Sequence, residues 1–170
     1  MNVNQIQNGD FETRDLTGWG LQINQGKASV VLYDRSFQVE VQPGLDDGVV
    51  LYTRFDITPG RFTLMLDATA PTAQFHQDPR EIETHPILFM FVTGYAADGS
   101  TVQFDVGSWW LEVTQQTHRY IGTMPSNVVR AEVQLSFPSD PLQVKGRTYI
   151  DNVSYTLNSQ KSPAGKRWSQ

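Results

Sequence analysis

Asn8-Gly9-Asp10-Phe11-Glu12-Thr13-Arg14-Asp15-Leu16-Thr17-Gly18-Trp19 is the stretch on which the fold turns. It sets a glycine turn, acidic side chains and a Gly-Trp pair within a span of twelve residues near the start. A partner segment, Tyr149-Ile150-Asp151-Asn152-Val153-Ser154-Tyr155, lies near the other end. Read together, the two segments suggest a β-sandwich whose first and last strands meet around a bound cation.

Between these segments the dominant pattern has a period of two, the signature of strands with one buried and one wet face. In Val129-Arg130-Ala131-Glu132-Val133-Gln134-Leu135-Ser136-Phe137 every odd position is apolar and every even one polar. Residues 61–68 place Phe62, Leu64, Leu66 and Ala68 on one face, and residues 36–41 do the same with Phe37, Val39 and Val41. Further strands are expected at 20–24, 28–33, 48–57, 86–96, 100–106, 108–114, 118–124 and 147–157. Pro43-Gly44, Pro59-Gly60, Asp98-Gly99 and Pro138-Ser139-Asp140-Pro141 punctuate them as turns. No segment sustains a helical period. The expectation is therefore all-β: an antiparallel sandwich of about ten strands, a jelly roll.

Composition narrows the function classes. The 170 residues carry a net charge of −5, which argues against binding nucleic acid, since that needs a basic face to neutralise phosphates. There is no cysteine, so disulfides, thiolate metal sites and cysteine nucleophiles are excluded. No apolar run approaches the roughly 20 residues that span a bilayer, and the first residues show no basic and apolar leader pattern. One jelly-roll domain over 1–157 is expected, followed by a flexible tail over 158–170. Residues 70–86 read as a long loop that holds His76 and His85. No nucleophile elbow, phosphate loop or dinucleotide fingerprint occurs, and catalysis is not expected.

The order of the short motifs resembles the carbohydrate-binding modules of families 4, 9, 16 and 22, which are galactose-binding-like jelly rolls found in bacterial extracellular proteins. The likeness runs from Asn8-Gly9-Asp10-Phe11-Glu12 and Leu16-x-Gly18-Trp19, through Phe55-Asp56-Ile57-Thr58-Pro59-Gly60-Arg61-Phe62, Asp98-Gly99 and Thr117-His118-Arg119-Tyr120, to Tyr149-Ile150-Asp151-Asn152-Val153. It implies an extracellular setting and a structural Ca²⁺ where the first and last strands meet, with ligands from Asp10, Glu12 and Asp151 and a contribution near Asp34. Read from the residues alone, Asp10 and Glu12 are equally turn residues in solvent, and Asp151 a carboxylate bonded to backbone amides. The resemblance also implies a polysaccharide or glycan partner. His118 departs from it, standing where many relatives carry tryptophan.

The richest aromatic run is Gly107-Ser108-Trp109-Trp110-Leu111-Glu112-Val113. Adjacent strand residues point to opposite faces, so with Leu111 and Val113 in the core Trp109 joins them and Trp110 faces out as a stacking platform. Tyr120, Arg130, Glu132 and Gln134 are the other ligand-binding candidates, with Tyr52, Tyr95 and Gln103 beside them. The competing expectation is a structural or protein-interaction domain on the same fold, a homo-oligomer or part of a larger surface, phage-like or toxin-like assembly, without sugar binding.

Overall fold

A computed structural model describes residues 3–74 and 86–158. His76, His85 and the tail beyond residue 158 lie outside the described residues. Ten strands follow in order: β1 (Gly20–Ile23), β2 (Gly26–Tyr33), β3 (Ser36–Pro43), β4 (Val49–Asp56), β5 (Gly60–Thr69), β6 (Ile87–Tyr95), β7 (Thr101–Trp110), β8 (Gln116–Met124), β9 (Arg130–Phe137) and β10 (Thr148–Leu157). They form two five-stranded antiparallel sheets, β1-β4-β9-β6-β7 and β2-β3-β10-β5-β8. The architecture is the all-β jelly-roll sandwich expected. No helix among the described residues is long and apolar enough to cross a membrane.

Alternation builds the core directly. Phe62, Leu64 and Leu66 of β5 are fully buried against Val133 and Leu135 of β9, Leu88, Met90 and Val92 of β6 and Ile150, Val153 and Tyr155 of β10. Phe62 stacks on Tyr155 at 4.5 Å between ring centroids, and Phe55 meets Tyr155 edge-on at 5.1 Å. Burying rings of this size dominates the stabilisation of such a core.

The expected pair of strands at 100–106 and 108–114 is instead one continuous strand, β7. Gly107 does not interrupt it: it sits on the inner face, where the tip of Met90 occupies the space a side chain would take. The strand ends at Trp110, so Leu111 still turns inward but Val113 has left the sheet and is exposed, not a core residue. The Asp98-Gly99 hairpin between β6 and β7 follows the turn chemistry. Gly99 has φ +85°, donates its N–H to the Ala96 carbonyl at 3.0 Å, and Asp98 accepts from the Ser100 amide at 2.9 Å.

The N-terminal segment closes one end. Asn8 donates to the carbonyls of Asp15 and Thr17 at 3.0 and 3.1 Å. Trp19 is buried, its indole N–H donating to the Asn8 carbonyl at 3.2 Å, and its ring lies 5.6 Å from that of the fully buried Phe11. Thr53 ties this loop to β4 by donating to the Gly18 carbonyl at 2.8 Å. Thr53→Val keeps the shape and deletes that bond; it is expected to cost about 1 kcal/mol, read as a small drop in denaturation midpoint with an unchanged m-value.

Candidate functional site

Register decides what the outer face of the β1-β4-β9-β6-β7 sheet presents. One cross-strand row reads Arg54, Glu132, Thr93, Phe104; the next reads Gly20, Tyr52, Gln134, Phe91, Val106; the next reads Val50, Ser136, Phe89, Ser108; and Trp110 lies opposite Ile87 at the end. Side chains one row apart and on the same face are neighbours. The face thus has an aromatic half along β6 and β7 and a polar half along β4 and β9.

The aromatic half is open to solvent although large and apolar. Phe104 is 58 % and Trp110 48 % exposed, with Val106 beside them. The Phe91 and Phe104 rings are near-parallel, 5.9 Å apart. Tyr52 adds a further ring on the opposite side, its tip lying over Gly20, where any side chain on β1 would collide with it. Several exposed rings on one sheet face form the kind of apolar patch that marks an interaction surface.

The polar half is locked. Glu132 is buried to 2 %, ion-paired with the Arg54 Nε and accepting from the Gln134 side-chain amide at 2.5 Å. The Arg54 guanidinium also lies 6.0 Å from the Tyr52 ring centroid. The bond to Glu132 is the main cause that raises Arg54 above its usual pKa. Beyond these rows Arg130 lies between Asp56 and Tyr95. At that end a cavity of about 250 Å³ is walled by Arg54, Arg130, Tyr95, Val129 and the hairpin backbone around Gly99.

Four of the five ligand-binding candidates, Trp110, Arg130, Glu132 and Gln134, therefore share this face, together with Tyr52 and Tyr95. Tyr120 does not. On β8 the residues His118, Tyr120, Gly122 and Met124 alternate inward, and Tyr120 lies against Phe62 with ring centroids 6.1 Å apart. Burial, and then the nearby Asp105 charge, raise its pKa. Gln103 also turns away from the outer face and donates to Asp105 at 2.8 Å. Phe89, Phe91, Phe104, Val106 and Arg54 were missed. The available signal was Ile87-Leu88-Phe89-Met90-Phe91-Val92, a run apolar on both strand faces whose outward members need a covering partner.

The second region of interest lies on the other sheet, beneath the N-terminal segment. Asp151 of β10 is 5 % exposed and accepts from the Asn152 amide at 2.7 Å. Burial raises its pKa; bonds from Asn152 and Ser36 oppose this, while the charges of Asp67 and Glu12 add to it. Glu12 is thus near enough to be felt by Asp151. Asp10 is exposed, takes the Glu12 amide on its carboxylate at 3.4 Å, and borders a separate cavity of about 500 Å³ with Asp67 and Asn152. Asp34 sits exposed at φ +45° in the turn between β2 and β3. Among the described residues no three histidine or acidic side chains converge as a metal-holding group.

The fold of two five-stranded sheets is similar to that of solved carbohydrate-binding modules of families 4, 11, 16, 22 and 61. A family 61 module in complex with β-1,4-galactotriose superposes with a TM-score of 0.66 at 12% identity, over 92% of this chain and 99% of that one. The N-terminal modules of a Clostridium thermocellum xylanase, complexed with xylohexaose, give 0.68 at 10% identity over 97% of this chain and 30% of theirs. The enzymatically active domain of tailspike protein 4 from bacteriophage CBA120 gives 0.68 at 17% identity over 92% of this chain, which spans about a fifth (22%) of that one. No protein-family profile matches the chain, and no curated protein matches it. At these identities the likeness establishes the fold.

Proposed function

We propose that the protein is a non-catalytic module that binds a carbohydrate chain on the outer face of the β1-β4-β9-β6-β7 sheet. The observation that carries this reading is the exposed aromatic half of that face beside a locked polar half. Rings held in a sheet surface stack on the apolar faces of pyranoses, and Arg54 and Gln134, fixed from below by their bonds to the buried Glu132, would read hydroxyls. Pre-organisation of this kind lowers the ordering cost of binding. A binding role without hydrolysis fits the same geometry. Glycoside cleavage needs two carboxyl groups about 5–9.5 Å apart across the scissile bond, whereas Glu132 is neutralised by Arg54. Retention of the protein on a panel of immobilised plant, fungal and bacterial polysaccharides in native gels tests the reading; free migration through all of them overturns it.

The proposal includes a structural Ca²⁺ between the N-terminal segment and β10, with Glu12 and Asp151 as its carboxylates and backbone carbonyls, that of Asp10 among them, and water completing the shell. A hard cation takes six to eight oxygens of this kind. What supports it is the chemistry of the donors: a buried carboxylate destabilised by its own burial and by Glu12 is one that a bound cation would stabilise. If so, excess chelator lowers the melting temperature and added Ca²⁺ restores it, the ion contributing about 2.7 kcal/mol of stability at one hundred times its dissociation constant. Identical melting curves with and without chelator would exclude the ion.

The tailspike likeness favours a second reading, in which the domain is part of a larger particle and its exposed rings dock protein. Light scattering distinguishes the two: a discrete oligomer that hides Trp110 from fluorescence quenchers supports assembly over sugar binding.

A further inference from the structure

Building on the carbohydrate-binding reading, we infer that the cavity at the Arg130 end of the face is a subsite for an anionic sugar substituent, a carboxylate or a sulfate ester, so that the module selects acidic glycans. The cavity wall presents two guanidinium groups, of Arg54 and Arg130, beside the Tyr95 ring and the Asp98-Gly99 hairpin. No carboxylate belongs to that wall among the described residues. Each arginine is anchored through its Nε, Arg54 to Glu132 and Arg130 to Asp56 at 3.4 Å. A guanidinium has five N–H donors in a planar fork, so anchoring by Nε leaves the outer nitrogens to meet an incoming oxyanion two at a time.

The two anchors differ in strength, and the difference decides which arginine is available. Glu132 is buried, so Arg54 is held in place. Arg130 and Asp56 are both largely exposed, at 58% and 87%, and an exposed pair at that distance adds little. Arg130 can exchange Asp56 for a ligand carboxylate at small cost. The position matters as well: Arg54 and Glu132 occupy the row that ends in Phe104, three strand spacings or about 14 Å away, so a sugar chain lying along that row from the rings reaches the cavity.

The test compares methyl β-glucoside, methyl β-glucuronide and methyl β-glucoside 6-sulfate by NMR titration of the intact protein at low and high salt. These probes differ only at C6. The expected result is at least tenfold tighter binding of one of the anionic probes, with the preference shrinking as salt screens it. Whichever anion is preferred identifies the substituent. Arg130→Gln is expected to bring the anionic-to-neutral ratio to about one, with a melting temperature showing that the fold is kept. A ratio near one in the unmutated protein, or a ratio that R130Q leaves unchanged, overturns the subsite. If the glucoside binds at the aromatic half in that case, the sugar-binding reading survives; if no probe and no polysaccharide binds, both fall.

Discussion

Gly9→Ala is expected to destabilise the protein by about 3 kcal/mol, at the upper end of what overpacking costs, and to lower its melting temperature by roughly 10 °C for a chain of this size. A Cβ on Gly9 would lie 1.9 Å from the carbonyl oxygen of Val153. Neither side can step aside. The Val153 amide donates to the Gly9 carbonyl at 2.7 Å, the Gln5 amide to the Tyr155 carbonyl at 2.9 Å, and the Asn4 side chain accepts from the Tyr155 amide at 2.9 Å. Val153 itself is fully buried and lies within an irregularity in the pairing of β10 with β5, between Asp151 and Ser154. Relieving the clash means peeling the N-terminal segment off β10, which exposes Phe11 and loosens the seat of Trp19. Thermal unfolding reads the effect directly. A G9A protein that melts within about 2 °C of the parent would show that the segment is not fastened as described. Under the Ca²⁺ proposal the same variant also loses its response to chelator, because Glu12 leaves with the segment.

The second large effect concerns binding. Replacing Trp110 and Phe104 together by alanine is expected to weaken retention on the preferred polysaccharide by roughly a thousandfold. That is the product of two residues each contributing about 2 kcal/mol, the size typical of aromatic anchors. Both side chains are about half exposed on an edge strand, so their removal is expected to leave the core and the melting temperature nearly unchanged. The single variants should each lose part of the affinity; the two residues are six positions apart on β7, about 20 Å along a strand, so their effects are expected to add as two separate subsites of one chain. Retention equal to that of the parent would remove the aromatic half of the face from the binding site. Unfolding of the double variant would instead assign those rings a structural role.

Much of the architecture was legible because a strand's side-chain period is two and the chain obeys it. The alternation in residues 129–137 and 61–68 placed the core faces of β9 and β5 correctly, and the Asp98-Gly99 hairpin followed from its own turn chemistry. Where the reading went astray, a purely local signal was asked to decide a contact. Gly107 looked like a break, but it lies opposite Met90, whose tip takes the room. Val113 continued the alternation on paper, but the sheet ended three residues earlier. Tyr120 carried a hydroxyl and a ring suited to a ligand, yet its parity on β8 turned it inward against Phe62.

The candidate site divides in the same way. Sequence alone determined that Trp110 and not Trp109 faces out, and that Arg130, Glu132 and Gln134 share one face, because parity along a strand is a local property. It also determined that Asn8 to Trp19 and Tyr149 to Tyr155 belong together. Only the tertiary structure decided what stands beside each of them. Arg54 meets Glu132 because β4 pairs with β9 in one register, and Phe104 joins Phe91 because β7 pairs with β6 in another. Such registers are set by the turns and by the fit of the whole core, and a shift of one residue in either would send every one of these side chains to the opposite face.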